Sequence, residues 1–311
     1  MRAYRALAFA AVVLAFIVVV MGAYVRLSDA GLGCPDWPFC YGRPVPAEIA
    51  DQHALAKAWK EMGHRYLAGT LGAIIVLLLI TAWRRRRNAA LATAIVLVVL
   101  LQATLGMWTV TMLLKPAIVT AHLLGGMTTL ALLVWLALSQ WGHRPAPEMR
   151  ALRPWALAAL AVLVVQIALG GWVSANYAAL ACPDLPLCRG QTLPPMDFAN
   201  AFHVVRELGR TSEGELLSLD ALTAIHWTHR LFAVVVLVVV LATAARARRH
   251  IAPLPLALAL IVALQFSLGV ANVALSLPLA LAAAHNAGAA LLLVTLVVLN
   301  FFAFRGLRFS P

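Results

Sequence analysis

Eight uninterrupted apolar runs constrain this 311-residue chain more than any single motif does. They are Ala3–Val25, His64–Trp83, Ala89–Val110, Pro116–Gln140, Pro154–Ala175, Leu222–Ala244, Pro253–Val273 and Leu279–Phe304. Each has roughly the 20 residues that a helix needs to cross the hydrocarbon core. Inside lipid a backbone N–H or C=O finds no water, so runs of this length fold as helices. The expected fold is an all-α integral membrane protein with eight transmembrane helices. Composition agrees, with 63% of residues hydrophobic and 12% charged, far from the balance of a soluble domain.

The net charge of +12 raises the question of nucleic acid, and its distribution answers it. Arg2, Arg5, Arg84–Arg87, Arg144, Arg150, Arg153, Arg246, Arg248, Arg249, Arg305 and Arg308 all fall on one side of an eight-span topology. That side carries 14 basic residues and one acid, Glu148, leaving 10 of the 24 basic and 11 of the 12 acidic residues for the other. Such a bias marks the inside, so both termini are expected in the cytoplasm. The basic clusters set topology, and nucleic acid is not an expected partner. Arg2 and Arg5 resemble the basic n-region of a signal peptide. The first run is longer than the roughly 7–15 apolar residues of such peptides and no clean small-residue cleavage site follows, so an uncleaved first span is expected. The absence of a Ser-rich, acid-poor transit segment points to a bacterial inner membrane.

All four cysteines lie in two short loops, CPDWPFC at 34–40 and CPDLPLC at 182–188. The topology puts both on the outer, oxidising side, where disulfides persist. Two prolines in each loop restrict the backbone and can hold the sulfurs close. Two disulfides, Cys34–Cys40 and Cys182–Cys188, fit better than one four-cysteine zinc site, which usually uses C-x2–4-C spacing. Covalent haem attachment would need C-x-x-C-H, which is absent.

The loops belong to a longer duplication. Gly22–Val25 and the first loop match Gly170–Val173 and the second at an offset of 148; Glu61–Arg65 aligns with His226–Arg230 at 165; Leu101–Gly106 aligns with Leu264–Gly269, and Ala121-His122 with Ala284-His285, at 163. The offset changes where the second outer loop is longer, and insertions there cost little. The chain therefore reads as two pseudo-symmetric four-helix bundles: residues 1–142 with outer loop 28–60, and residues 154–311 with outer loop 176–221, joined by the polar stretch 143–153. An even number of spans per half makes them parallel repeats about an axis along the membrane normal.

Four of the nine histidines are placed by the repeat: His64 and His122, His229 and His285. His64 opens the second span, and His122 lies six residues past Pro116, about 9 Å at 1.5 Å per residue. All four fall in the outer half of the membrane. One such histidine alone would read as an interhelical hydrogen-bond donor or proton relay, but two matched pairs, each duplicated, read as ligands. Facing helices of a four-helix bundle hold cofactors in this way. No carboxylate joins the inner pairs, so a haem iron suits them better than zinc or a di-iron centre. Gly125 and Gly126 after His122, and Gly288 after His285, would admit a flat ring, although small residues also serve ordinary helix packing. Arg65 and Arg230 follow their histidines and can pair with haem propionates or simply snorkel to the interface. Glu61, one turn before His64, has His226 as its counterpart. A carboxylate beside one site alone places chemistry in the first half, unless Glu61 only favours a helix start. His53, His203, His143 and His250 lie in loops and carry no expected role.

Together these residues resemble the haem A synthase family across essentially the whole chain. The resemblance implies oxidation of the C8 methyl of haem O to a formyl group, giving haem A for terminal oxidases. It implies a resident haem b on His229 and His285, a substrate porphyrin iron held by His64 and His122, and Glu61 as the catalytic carboxylate. It makes Cys34 and Cys40 the functionally important pair and leaves Cys182–Cys188 a structural disulfide. His226 departs from the glutamine expected there and competes with His229 as a ligand, although the H-R match favours His229. Implied partners are haem O, the haem O synthase (protohaem farnesyltransferase), the terminal oxidase assembly machinery, an electron acceptor and membrane lipid. Two other readings fit the duplicated histidines: a dihaem b-type cytochrome taking electrons from quinol, and a haem transporter or chaperone. The cytochrome reading gives Glu61 and the cysteine loops no task.

Overall fold

The computed structural model describes residues 2–46, 49 and 51–309. Residues 47, 48 and 50 of the first expected loop, and 310–311 of the second expected half, lie outside the described residues. Eight long helices form: α1 (Arg2–Leu27), α2 (Gln52–Arg84), α3 (Ala89–Thr111), α4 (Pro116–Leu138), α5 (Arg153–Ala175), α7 (Leu219–Ala247), α8 (Leu254–Ala274) and α9 (Leu279–Arg305). A short α6 (Phe198–Ala201) sits in the loop between α5 and α7. All eight are long and apolar enough to cross a membrane, so this is an all-α, multi-pass membrane protein.

Local chemistry sets the helix ends. Asp51 caps α2 by accepting from the backbone N–H of His53 at 3.0 Å, and Ser218 caps α7 through Ala221 at 3.1 Å, each satisfying a donor that the first turn leaves free. Proline stands in the first turn of α4, α5 and α8, where its missing N–H removes nothing. Gly306 ends α9 at φ 62°, a conformation open to residues without Cβ. Thr70, Thr128 and Thr243 turn their hydroxyls back onto the carbonyl four residues earlier. A polar side chain on a membrane helix is thereby satisfied internally.

Two starts differ from the sequence reading. The helix carrying His64 begins at Gln52, so His64 does not open it and the preceding loop ends at residue 51 rather than 60. The loop expected to end at 221 gives way to α7 at Leu219. Hydropathy reports the bilayer-crossing part of a helix, whereas Gln52–Gly63 is too polar for lipid yet capped and rich in alanine. Glu61 consequently sits nine residues past the first residue of α2, outside the reach of the helix-start field.

Helices α1, α2, α3 and α4 close into a ring of neighbours, as do α5, α7, α8 and α9. Between the rings, α4 packs on α5, α1 on α9, and α4 on α9. Exchanging the halves maps the α4–α5 contact onto α9–α1, so the interface has the two-fold character of the sequence repeat. Ala8, Ala11 and Ala15 line the buried face of α1, and Ala156 and Ala159 that of α5. Small residues let backbones approach where lipid provides no hydrophobic drive. The most apolar window of α9 is 61% buried against 17% for α3, so α9 lies centrally and α3 faces outward.

The stretch 143–153 is docked against the bundle rather than free of it. His143–Pro145 (β1) pairs antiparallel with Leu307–Phe309 (β2), and Ala146 N–H bonds the Gly306 carbonyl at 2.8 Å. The His143 ring packs edge-on against Phe301 and Phe302, and its Nε2 lies 2.8 Å from the Leu138 carbonyl. Arg153 donates to the Phe304 carbonyl at 2.8 Å, placing a cation on the negative end of α9.

Candidate haem sites and the cysteine loops

Each of the four placed histidines lies against a glycine of the neighbouring helix. A Cβ built on Gly22 would stand 2.9 Å from His64 Cε1; the corresponding distances are 3.2 Å for Gly106 and His122, 3.1 Å for Gly170 and His229, and 3.2 Å for Gly269 and His285. One arrangement thus occurs four times, on α1/α2, α3/α4, α5/α7 and α8/α9. The absent side chain makes room for the imidazole between helices that pack tightly. His64 on α2 and His122 on α4 belong to the first ring of helices, and His229 on α7 and His285 on α9 to the second.

The donor set of each pair suits a haem. Buried Nδ1 atoms of His64, His122 and His285 have no hydrogen-bond partner, and an unmet buried polar group is costly. Among the described residues no group of three or more His, Cys, Asp or Glu could hold a metal ion. Two imidazoles from facing helices, without carboxylates, are axial haem ligands in chemistry and number. A bound haem would be held by His229 and His285 in one half and by His64 and His122 in the other.

One glutamine, Gln166, distinguishes the halves. Gln166 of α5 donates from Nε2 to the His229 carbonyl at 3.1 Å and lies 3.2 Å from His229 Nδ1. Gln265 of α8 reaches His285 Nε2 at 3.3 Å. Gln265 has a counterpart in the first half, Gln102, which hydrogen-bonds His122, whereas the position matching Gln166 is Val18. Gln166 escaped the sequence reading, although an amide within a membrane span is itself a signal of function.

Both cysteine pairs are disulfides, with Cα–Cα distances of 4.7 and 4.6 Å. The loops share one hydrogen-bond plan. Asp36 accepts from the N–H groups of Tyr41 (2.6 Å) and Gly42 (2.8 Å), and Asp184 from those of Arg189 (2.6 Å) and Gly190 (2.8 Å). The Gly190 and Arg189 amides hold the Asp184 carboxyl below its usual range. Gly33 passes so close to α2 that a Cβ there would stand 2.6 Å from the backbone of Lys57, which admits only glycine.

Glu61 fastens the first loop to α2. Its Oε2 accepts from Cys34 N–H at 2.8 Å, its Oε1 is paired with Arg65, and the residue is 5% exposed. In the second half His226 does the same with an imidazole: its Nδ1 accepts from Cys182 N–H at 3.3 Å. His226 is thereby occupied as a loop anchor, while the His229 ring meets Gln166. Arg65 donates to the carbonyls of Asp36 (2.9 Å) and Phe39 (2.7 Å), which engages the group expected on a propionate. Arg230 donates to the Leu187 carbonyl at 3.1 Å but keeps a buried Nη1 without a partner.

Comparison with known proteins supplies the remaining context. A family model described as cytochrome oxidase assembly protein, COX15-CtaA, matches residues 5–297. A protein of Shewanella oneidensis named Heme A synthase is 42% identical over 308 residues, covering 93% of each chain. Others of that name are 31% identical in Caulobacter vibrioides, over 74% of this chain and 73% of the relative, and 27% identical in Halalkalibacterium halodurans, over 70% and 73%.

Proposed function

The chain belongs to the COX15-CtaA family of cytochrome oxidase assembly proteins, and from that premise we propose that it makes haem A by oxidising the C8 methyl of haem O to a formyl group. The observation that carries the reading is the duplicated histidine pair with an asymmetric surround, Glu61 and Val18 in one half against His226 and Gln166 in the other. A haem cofactor that stays bound profits from a fixed ligand, and the amide of Gln166 spans the side chain and main chain of His229. A substrate that must enter and leave does not. We therefore assign a resident haem b to His229 and His285, and the haem O iron to His64 and His122.

A haem b held by His229 and His285 would supply one-electron redox chemistry, the electrons of the oxidation going to an acceptor outside this chain. The residues do the rest. His64 and His122 hold the porphyrin between α2 and α4. Glu61, one turn from His64 on the same helical face, accepts a proton or stabilises positive charge as the methyl is oxidised. Arg230, with its unpaired Nη1, is the better candidate for a propionate; Arg65 holds the cysteine loop and the Glu61 carboxylate in place.

Expression of the whole chain in cells that make haem O but no haem A should yield haem A in membrane extracts resolved by chromatography and mass spectrometry. Recovery of haem b alone, with haem O untouched, would sink the reading in favour of a dihaem cytochrome. We also place the cysteine loops outside and the termini in the cytoplasm of a bacterial inner membrane, on the arginine distribution. After reduction, a membrane-impermeant thiol reagent should label the cysteines in intact spheroplasts; labelling only after lysis would reverse the orientation.

A further inference from the structure

Three arginines converge on a cavity at the end of the first half remote from the cysteine loops, and no acidic residue lines it. The cavity, about 200 Å³ in volume, is bounded by Tyr4 and Arg5 of α1, Ala82 at the end of α2, Arg85 and Arg87 just beyond it, and Gln140 after α4. Tyr4 is 6% exposed, and its buried hydroxyl has no partner; the buried Nε of Arg5 has none either. Arg5 lies over the Trp141 ring at 5.6 Å and Arg85 over the Tyr4 ring at 5.9 Å, so aromatic faces steady two guanidinium groups beside the cavity. Arg87 Nη2 donates to the Ser139 carbonyl at 3.3 Å.

Like charges sharing a partly enclosed space repel, and buried donors without acceptors are unfavourable. One anion with several oxygens relieves both. Guanidinium forks match phosphate oxygens in pairs, and a tyrosine hydroxyl adds a neutral donor. The cavity lies where α1 begins and α2 and α4 end, among flanking arginines, at the depth of phospholipid headgroups. We propose that this cavity is a binding site for a phosphate group at the membrane surface. It is independent of the haem sites and of the activity assigned to them.

The test uses the full-length protein, delipidated in detergent, with thermal unfolding followed as phosphatidylglycerol or inorganic phosphate is added. The wild type should show a saturable rise in melting temperature. Arg5→Gln with Arg87→Gln should raise the half-saturating concentration about tenfold or more, and Tyr4→Phe, which keeps the ring beneath Arg85, should raise it by a smaller factor. Arg84→Gln with Arg86→Gln removes as much charge from the same end of the bundle, at residues that do not line the cavity, and should leave the response unchanged. Saturation by phosphatidylglycerol alone identifies a lipid headgroup, and equal saturation by inorganic phosphate identifies the free anion; either supports the site. If neither ligand gives a saturable rise, or if the control pair weakens binding as much as the cavity pair, the proposal is overturned. Should the arginine pair fail to fold, an unchanged response in Tyr4→Phe overturns it as well.

Discussion

Replacing Glu61 with glutamine should leave a folded protein that keeps its resident haem b and binds haem O, yet lowers haem A formation by about 100-fold or more. The expectation rests on comparing the halves. Glu61 fastens Cys34 to α2 and pairs with Arg65, and in the second half His226 performs the first of these tasks for Cys182. Anchoring needs only an acceptor; a neutral imidazole suffices. A carboxylate is therefore more than the loop anchor requires, and it lies one turn from His64, the proposed ligand of the haem O iron. Glu61→His sharpens the test, because it transplants the second-half anchor into the first. That variant should retain the Cys34–Cys40 loop and still accumulate haem O or a hydroxylated porphyrin. Haem A at the normal rate in Glu61→Gln would leave Glu61 a loop anchor and nothing more.

Replacing His229 or His285 with alanine should strip nearly all the resident haem b, whereas replacing His64 or His122 should spare it and abolish haem A. In the proposed assignment each histidine is one of two axial ligands, and the nearest other imidazole to His229, that of His226, is engaged with Cys182. Haem extracted from purified variants, read with the reduced-minus-oxidised spectrum, separates the sites without relying on activity. Gln166→Val, which copies Val18, should keep the spectrum but weaken haem retention by about 10–100-fold in competition with an apo-haem-binding protein, the usual cost of losing a hydrogen bond behind a ligand. His226→Gln should retain haem b, since its ring is turned to Cys182. Haem lost with His226 and kept without His229 would reverse that choice of ligand.

Eight spans and both disulfide pairs are legible in the sequence, as are the internal repeat and the positions of the four matched histidines. Span length and hydropathy are properties of consecutive residues, and a repeat preserves spacing, so neither depends on how distant segments meet. The cysteines of each pair are so close in the chain that a stiff loop nearly determines their bond. What lay beyond the sequence depends on contacts across the chain and on which polar groups are already taken. Glu61 reaches Cys34 from 27 residues away; Arg65 is drawn to loop carbonyls rather than left for a propionate; Gln166 meets His229 from another helix, 63 residues along. The stretch 143–153 reads as a polar linker until His143 finds Phe301 and Phe302. The early start of α2 shows the same limit in one dimension, since hydropathy measures what lipid requires of a helix and says nothing of the turns that continue past it. A side chain's chemistry is written in the sequence, but whether that chemistry is free to act is decided by the partners that folding brings to it.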